Sequence, residues 1–262
     1  MKSLEFASDL MVLRGQCEVE TYSDRIVQRS PSQPNFWFGN RVLFRDPPRD
    51  ATALVAQFQT DLPDAEHICL GWDIPNLPIH DVKQMFEAQG LKVEAADTLA
   101  LSGDLNRPDL PRGLTTRAFE RESDWHQSEA ISRSQHFVDG LPEEGLDRFL
   151  SGQSAARQAQ ISKGFGQWFG AFDGDQLLGD MGIFFDDRVI RYQSVQTHEK
   201  YRRRGICSAL LCHALDWAKA KAPQARPLIV AESNSDAGRL YLRAGFELFE
   251  TTVSAYRPPS ES

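Results

Sequence analysis

Arg202, Arg203 and Arg204 stand in a row, followed at once by Gly205. Three guanidiniums beside a residue that can adopt left-handed backbone angles suit a multiply charged anion. The flanks strengthen that reading. Ile206, Leu210, Leu211, Ala214, Leu215 and Ala218 recur at helical spacing, so a helix is expected from about Gly205 to Ala220. A helix N-terminus offers unpaired N–H groups and a partial positive charge. Ile190 to Thr197, rich in β-branched and aromatic residues, is expected as the strand that leads in. Strand, basic turn, glycine and helix together make a phosphate-binding arrangement. The turn alone leaves open a solvated basic corner that merely starts a helix.

The segment from Arg202 to Cys207 resembles the Q/R-x-x-G-x-G/A motif of the GNAT superfamily of acyl-CoA-dependent acetyltransferases. The resemblance implies that Arg202, Arg203, Arg204, Gly205, Ile206, Cys207 and Ser208 wrap the pyrophosphate of coenzyme A. It also implies that Val195 and Thr197 pair with the pantetheine arm. Cys207 departs from the pattern, which usually has Gly or Ala there. A second block, Asn234 followed by Tyr241-Leu242-Arg243-Ala244-Gly245-Phe246, resembles a further part of the family. It implies a cofactor-site role for Asn234 and makes Tyr241 the acid that protonates the leaving thiolate. From spacing alone, Tyr241 reads as a core aromatic of an amphipathic helix. The resemblance runs from about Leu114 to Tyr256 and implies acetyl-CoA as co-substrate, with direct attack by an acceptor amine in a ternary complex.

A base is harder to choose. Glu232 would lie at the C-terminal end of a strand over Pro227 to Ala231, where catalytic groups gather in open α/β sheets, or be a solvated loop acid. His198 has a suitable imidazole beside the cofactor turn, and His136 falls in the region expected to wall the acceptor. A chain of waters could serve instead. Cys207, next to the expected diphosphate, is too far from a thioester to carry an acyl group.

Stepwise patterning supplies the elements. In the second half, strands are expected over Leu114 to Ala118, Gln167 to Phe172, Gln176 to Phe185 and Phe246 to Tyr256. Helices are expected from Ser123 and over Glu143 to Gln160, and another with Asp236 as its cap. In the first half, strands are expected over Cys17 to Arg29, Phe36 to Phe44, His67 to Trp72 and Leu91 to Leu101. Helices fill Ala51 to Thr60, capped by Asp50, and Asp81 to Ala88. Phe86-Glu87-Ala88-Gln89-Gly90-Leu91 repeats the grammar of Tyr241 to Phe246, which reads as an internal duplication or as the common form of a helix-to-strand corner. The first copy has Arg45-Asp46-Pro47-Pro48 where a phosphate turn would stand, and Phe86 in place of a tyrosine. The expected architecture is α+β: a central mixed, mostly antiparallel sheet flanked by helices, GNAT-like, in two tandem units. A degenerate unit over 1–110 precedes an active one over 111–262, with the acceptor between them.

Composition bounds the rest. The 262 residues carry a net charge of −8, which argues against a nucleic-acid surface. No apolar run reaches the ~20 residues of a membrane span. Cys17, Cys69, Cys207 and Cys212 form no C-x-x-C pair, and the six histidines no H-x-x-x-H pair, so reduced thiols, no metal and a cytoplasmic location are expected. The partner is expected to be a small-molecule amine, and the protein a monomer or homodimer. A hydroxyl or thiol acceptor stays open, as does a non-catalytic acyl-CoA sensor.

Overall fold

The computed structural model describes residues 1–108, 111–138 and 145–259, without the side chains of 136–138. The expected boundary at 110/111, the His136 side chain and Glu143 therefore lie outside the described residues. In chain order the elements are α1 (Leu4–Val12), β1 (Glu18–Thr21), β2 (Arg25–Arg29), β3 (Arg41–Phe44), α2 (Ala51–Asp61), β4 (Ile68–Trp72), α3 (Ile79–Glu87) and β5 (Lys92–Leu101). There follow β6 (Leu114–Ala118), α4 (Glu122–Val138), α5 (Leu146–Ser162), β7 (Gly166–Asp173), β8 (Gln176–Phe185) and β9 (Val189–Thr197). The chain closes with α6 (Ile206–Lys221), β10 (Arg226–Glu232), α7 (Asp236–Ala244) and β11 (Phe246–Arg257). This is the expected mixed α+β architecture.

The chain divides into two compact units, and neither is one continuous stretch. One comprises Met1–Leu99, Val230–Leu242 and Leu248–Ser262, and the other Ala100–Ile229 and Arg243–Glu247. In the first unit the strands run in the order β1-β2-β3-β4-β11-β5. Strands β3 and β4 are parallel, and β11 pairs antiparallel with β4 from Ser254–Gly71 to Arg257–Ile68. Its core gathers Phe58, Leu70, Trp72, Val82 and Phe86 with Val253 and Ala255 of β11. In the second unit the order is β10-β9-β8-β7-β6, antiparallel apart from β9 with β10. Helix α6 closes that core, with His213 and Trp217 packing edge-on to Phe169 at 5.0 and 5.7 Å.

Two expected strands are broken in the structure. Cys17 to Arg29 is a hairpin turning at Tyr22, whose N–H donates to Arg25 O at 2.8 Å, and Phe36 to Phe44 holds a 3-10 turn at Trp37–Gly39 before β3. Helix α1 is an element the sequence patterns did not suggest. Ser3 caps it by accepting the Phe6 N–H at 3.3 Å. Buried acids then fix it: Asp73 accepts the N–H groups of Lys2 and Ser3, and Glu250 accepts the Ser3 hydroxyl and the Glu5 N–H. At α7 the cap is Ser235, whose Oγ accepts the Gly238 N–H at 3.1 Å; Asp236 is instead the first-turn acid.

Candidate functional site

The basic turn grows directly out of β9. His198 opens a one-turn 3-10 segment at Glu199–Tyr201, its Nδ1 accepting the Lys200 N–H at 3.3 Å. Arg202 Nε donates back to Thr197 O at 3.3 Å, and the Arg204 guanidinium lies 5.7 Å from the Tyr201 ring centre. Arg202, Arg203, Arg204 and Gly205 are all exposed. Among the described residues none of the three arginines meets a carboxylate. Gly205 takes φ +79°, and a Cβ there would meet nothing within 4 Å. The glycine therefore serves the backbone angle and leaves the approach to the helix open. No side chain caps α6, so the first N–H groups of a 16-residue helix, Ile206 to Ser208, are left without a side-chain acceptor. Burial pushes the Cys207 thiol up to about 12. It is a protonated, inert group at neutral pH and no acyl carrier.

The corner between β3 and α2 in the first unit is built otherwise. Helix α2 also follows a strand that has a parallel partner, yet Asp50 caps it, accepting the Ala53 N–H at 3.1 Å. The parallel register of β3 with β4 runs to Phe44–Trp72, the last residue of each strand. The register of β9 with β10 ends at Arg191–Leu228, although β9 continues to Thr197 and β10 to Glu232. One corner is zipped to its end and self-capped; the other diverges and is uncapped.

A bulge sharpens the divergence. Gln193 lies opposite Gly182 and Gln196 opposite Asp180, so Ser194 and Val195 together face one residue of β8. Ser194 has φ +47°, rare for a residue with a side chain. A bulge of this kind takes backbone groups out of the ladder and redirects them. Of the residues expected from sequence to bind cofactor, the second unit brings together Val195, Thr197 and Arg202 to Ser208. Glu232, Asn234 and Tyr241 belong to the other compact unit. There Glu232 is exposed at the end of β10. Asn234 is exposed at φ +63°, its carbonyl accepting from Arg239 Nη1 at 2.6 Å. Tyr241 is 5% exposed on the buried face of α7.

Beneath the bulge lies a polar network that sequence reasoning did not anticipate. Asp180 is fully buried and accepts from Ser128 Oγ at 3.0 Å, Trp168 Nε1 at 2.8 Å and Gln196 Nε2 at 2.9 Å. Desolvation drives its carboxyl up to about 6 against these bonds and the nearby charge of Arg157. Ser132 Oγ donates to Gln196 Oε1 at 3.0 Å, completing the link from α4 to β9. Arg157 of α5 donates from Nη2 to Ser194 Oγ at 2.9 Å, with its guanidinium 4.4 Å from the Trp168 ring centre. One signal was available in advance: Asp180 is the lone acid in an otherwise apolar run, a placement acids rarely take without partners. A cleft of about 360 Å³ opens along α4, lined by His126, Glu129, Ala130, Arg133 and Ser134. Among the described residues no group of three or more His, Cys, Asp or Glu is placed to hold a metal ion, and no helix is long and apolar enough to cross a membrane.

Residues 121–246 match the family model described as Acetyltransferase (GNAT) family. No curated protein matches the chain. A functionally unknown conserved protein from Staphylococcus epidermidis superposes with a TM-score of 0.67 at 14% identity, over 92% of this chain and 93% of its own. A GCN5-related N-acetyltransferase from Kribbella flavida does so at 0.61 and 17%, over 97% and 95%. A tandem GNAT protein from the clavulanic acid biosynthesis pathway gives 0.57 and 12%, over 95% and 85%. At these identities the likeness is one of fold.

Proposed function

We propose, from the match of residues 121–246 to the acetyltransferase (GNAT) family model, that this chain transfers an acetyl group from acetyl-CoA to an amine of a small molecule. The observation that carries the reading is the contrast between the two corners. An α6 that opens on left-handed Gly205, beside three arginines that meet no carboxylate among the described residues, follows a strand that diverges from its parallel neighbour. That set fits a pyrophosphate with a long polar arm attached. The capped and zipped corner at Asp50 does not, which supports a degenerate first copy over 1–110 and a working one over 111–262.

Bound acetyl-CoA supplies a thioester whose carbonyl the acceptor amine attacks. The chain's own groups then have distinct tasks. N–H groups from Arg202 to Ser208 and the arginine side chains neutralise the diphosphate. Backbone groups of Val195 and Thr197, freed from β10, hold the arm. The bulge at Ser194–Val195 aims an N–H toward the oxygen on which charge develops. By the family resemblance alone, Tyr241 is proposed as the acid for the departing sulfur, Glu232 or water as the base for the amine, and Asn234 as a cofactor residue. Four free thiols fit a cytoplasmic location.

Isothermal calorimetry with coenzyme A tests the assignment. Gly205→Glu places a carboxylate where the anion would sit, and affinity is expected to fall by more than ~30-fold, about 2 kcal/mol. Unchanged affinity in a folded variant would refute the site.

A further inference from the structure

We infer that Arg157 anchors a carboxylate of the acceptor, so that the acceptor is an amino acid or another small amine that also carries a carboxylate. This deepens the acyl-transfer reading and rests on it. A guanidinium has five N–H donors in a planar fork. Arg157 uses Nη2 on Ser194 Oγ, its guanidinium carbon lies over the Trp168 ring, and among the described residues it makes no ion pair. The charge is half-buried, and burial lowers its pKa to about 10, so it stays protonated at neutral pH while short of water. The two acids whose charge reaches it are Asp180 and Glu129. Asp180 cannot be the missing partner, because its oxygens are engaged by Ser128, Trp168 and Gln196. Glu129 lines the α4 cleft and lies beyond ion-pair reach.

The platform under Arg157 is rigid. Trp168 is fully buried, its indole N–H is held by Asp180, and its ring occupies the space above Gly182, where a Cβ would come within 2.2 Å of it. Among the described residues only Nη2 of this guanidinium meets an acceptor, which leaves N–H donors of the planar fork to receive a carboxylate in two parallel hydrogen bonds. The position matters as much as the chemistry. Ser194 is the bulge residue itself, and Val195, ~3.8 Å further along the backbone, is where the acyl group is held in the proposed mechanism. A carboxylate on the free edge of Arg157 therefore brings the amine of the same small molecule to the bulge.

A thiol-release assay with acetyl-CoA decides the matter, run on the twenty amino acids against the matching amino-acid amides. The wild type is expected to prefer acids by roughly 10–100-fold in kcat/KM. Arg157→Gln is expected to erase that preference by raising KM for the acids far more than for the amides, with coenzyme A affinity unchanged. Arg157→Lys, which retains the charge without the fork, is expected to keep part of the preference and to serve if the glutamine variant does not fold. Amides that are turned over as well as acids, absence of turnover with any amino acid, or equal loss for acids and amides in Arg157→Gln would overturn the inference. Loss of coenzyme A binding in the wild type is a separate outcome, and it would remove the acyl-transfer reading itself.

Discussion

Asp180→Asn tests whether the network under the bulge is as tightly closed as its geometry indicates. The carboxyl sits at about 6 instead of the ordinary 3.8, with desolvation as the leading cause. A raised acid binds its proton more tightly in the folded chain than in the unfolded one. Its contribution to stability is thus complete below pH ~4 and is lost as pH rises through ~6. Two pH units correspond to ~3 kcal/mol. The groups facing it are neutral Ser128, Trp168 and Gln196 and cationic Arg157, which pulls the other way. Asparagine keeps the oxygen that accepts from Ser128 and Trp168 but turns an amide toward Gln196, so that amide must flip, at a cost of ~1 kcal/mol that is independent of pH. Urea unfolding, followed by tryptophan fluorescence at pH 4, 5, 6 and 7, gives stability for both proteins. The wild type minus the variant is expected to fall by ~2.4 kcal/mol across that range, with most of the change between pH 4 and 6. A difference constant to ~0.5 kcal/mol would mean that Asp180 titrates normally and that the burial argument is wrong.

Two further outcomes follow from the contrast between the corners. Tyr241→Phe retains a buried ring, as Phe86 does at the corresponding helix position. It is expected to lower kcat by ~10–100-fold with the KM for acetyl-CoA unchanged, and steady-state kinetics with any active amine checks this. Asp50→Ala removes the α2 cap and is expected to cost ~1 kcal/mol in denaturant unfolding, while coenzyme A affinity by calorimetry stays as in the wild type.

Periodicity and turn chemistry made most elements readable. The helix after Gly205 and the Asp50 cap follow from local rules, and the structure has both of them. Helix α1 escaped because its stability comes from distant acids, Asp73 and Glu250, which no local window contains. The Phe36 to Phe44 run misled because β-prone aromatics there feed a 3-10 turn, whose Asn40 side chain donates to Phe36 O at 2.9 Å. The site divides along the same line. The basic turn is contiguous and was legible. The Arg157–Ser194–Asp180 assembly joins α5, β9 and β8, and only folding makes those residues neighbours. The bulge at Ser194 carries no glycine to mark it.

Strand β11 has a biosynthetic consequence. Its partner β4 is made early, yet Ser254 to Arg257 are made only after the long stretch Ala100–Ile229 of the second unit. Until they emerge, β4 presents an unpaired apolar edge at Ile68 to Trp72, the kind of edge that recruits other chains. The first unit cannot finish folding while the ribosome is still reading the second, so the two mature together rather than in sequence. Contacts so distant in the chain favour slow closure and give chaperones a long interval in which to act. A gene cut between β5 and β6 would yield a first piece that lacks β11 and a second that carries β11 without β4.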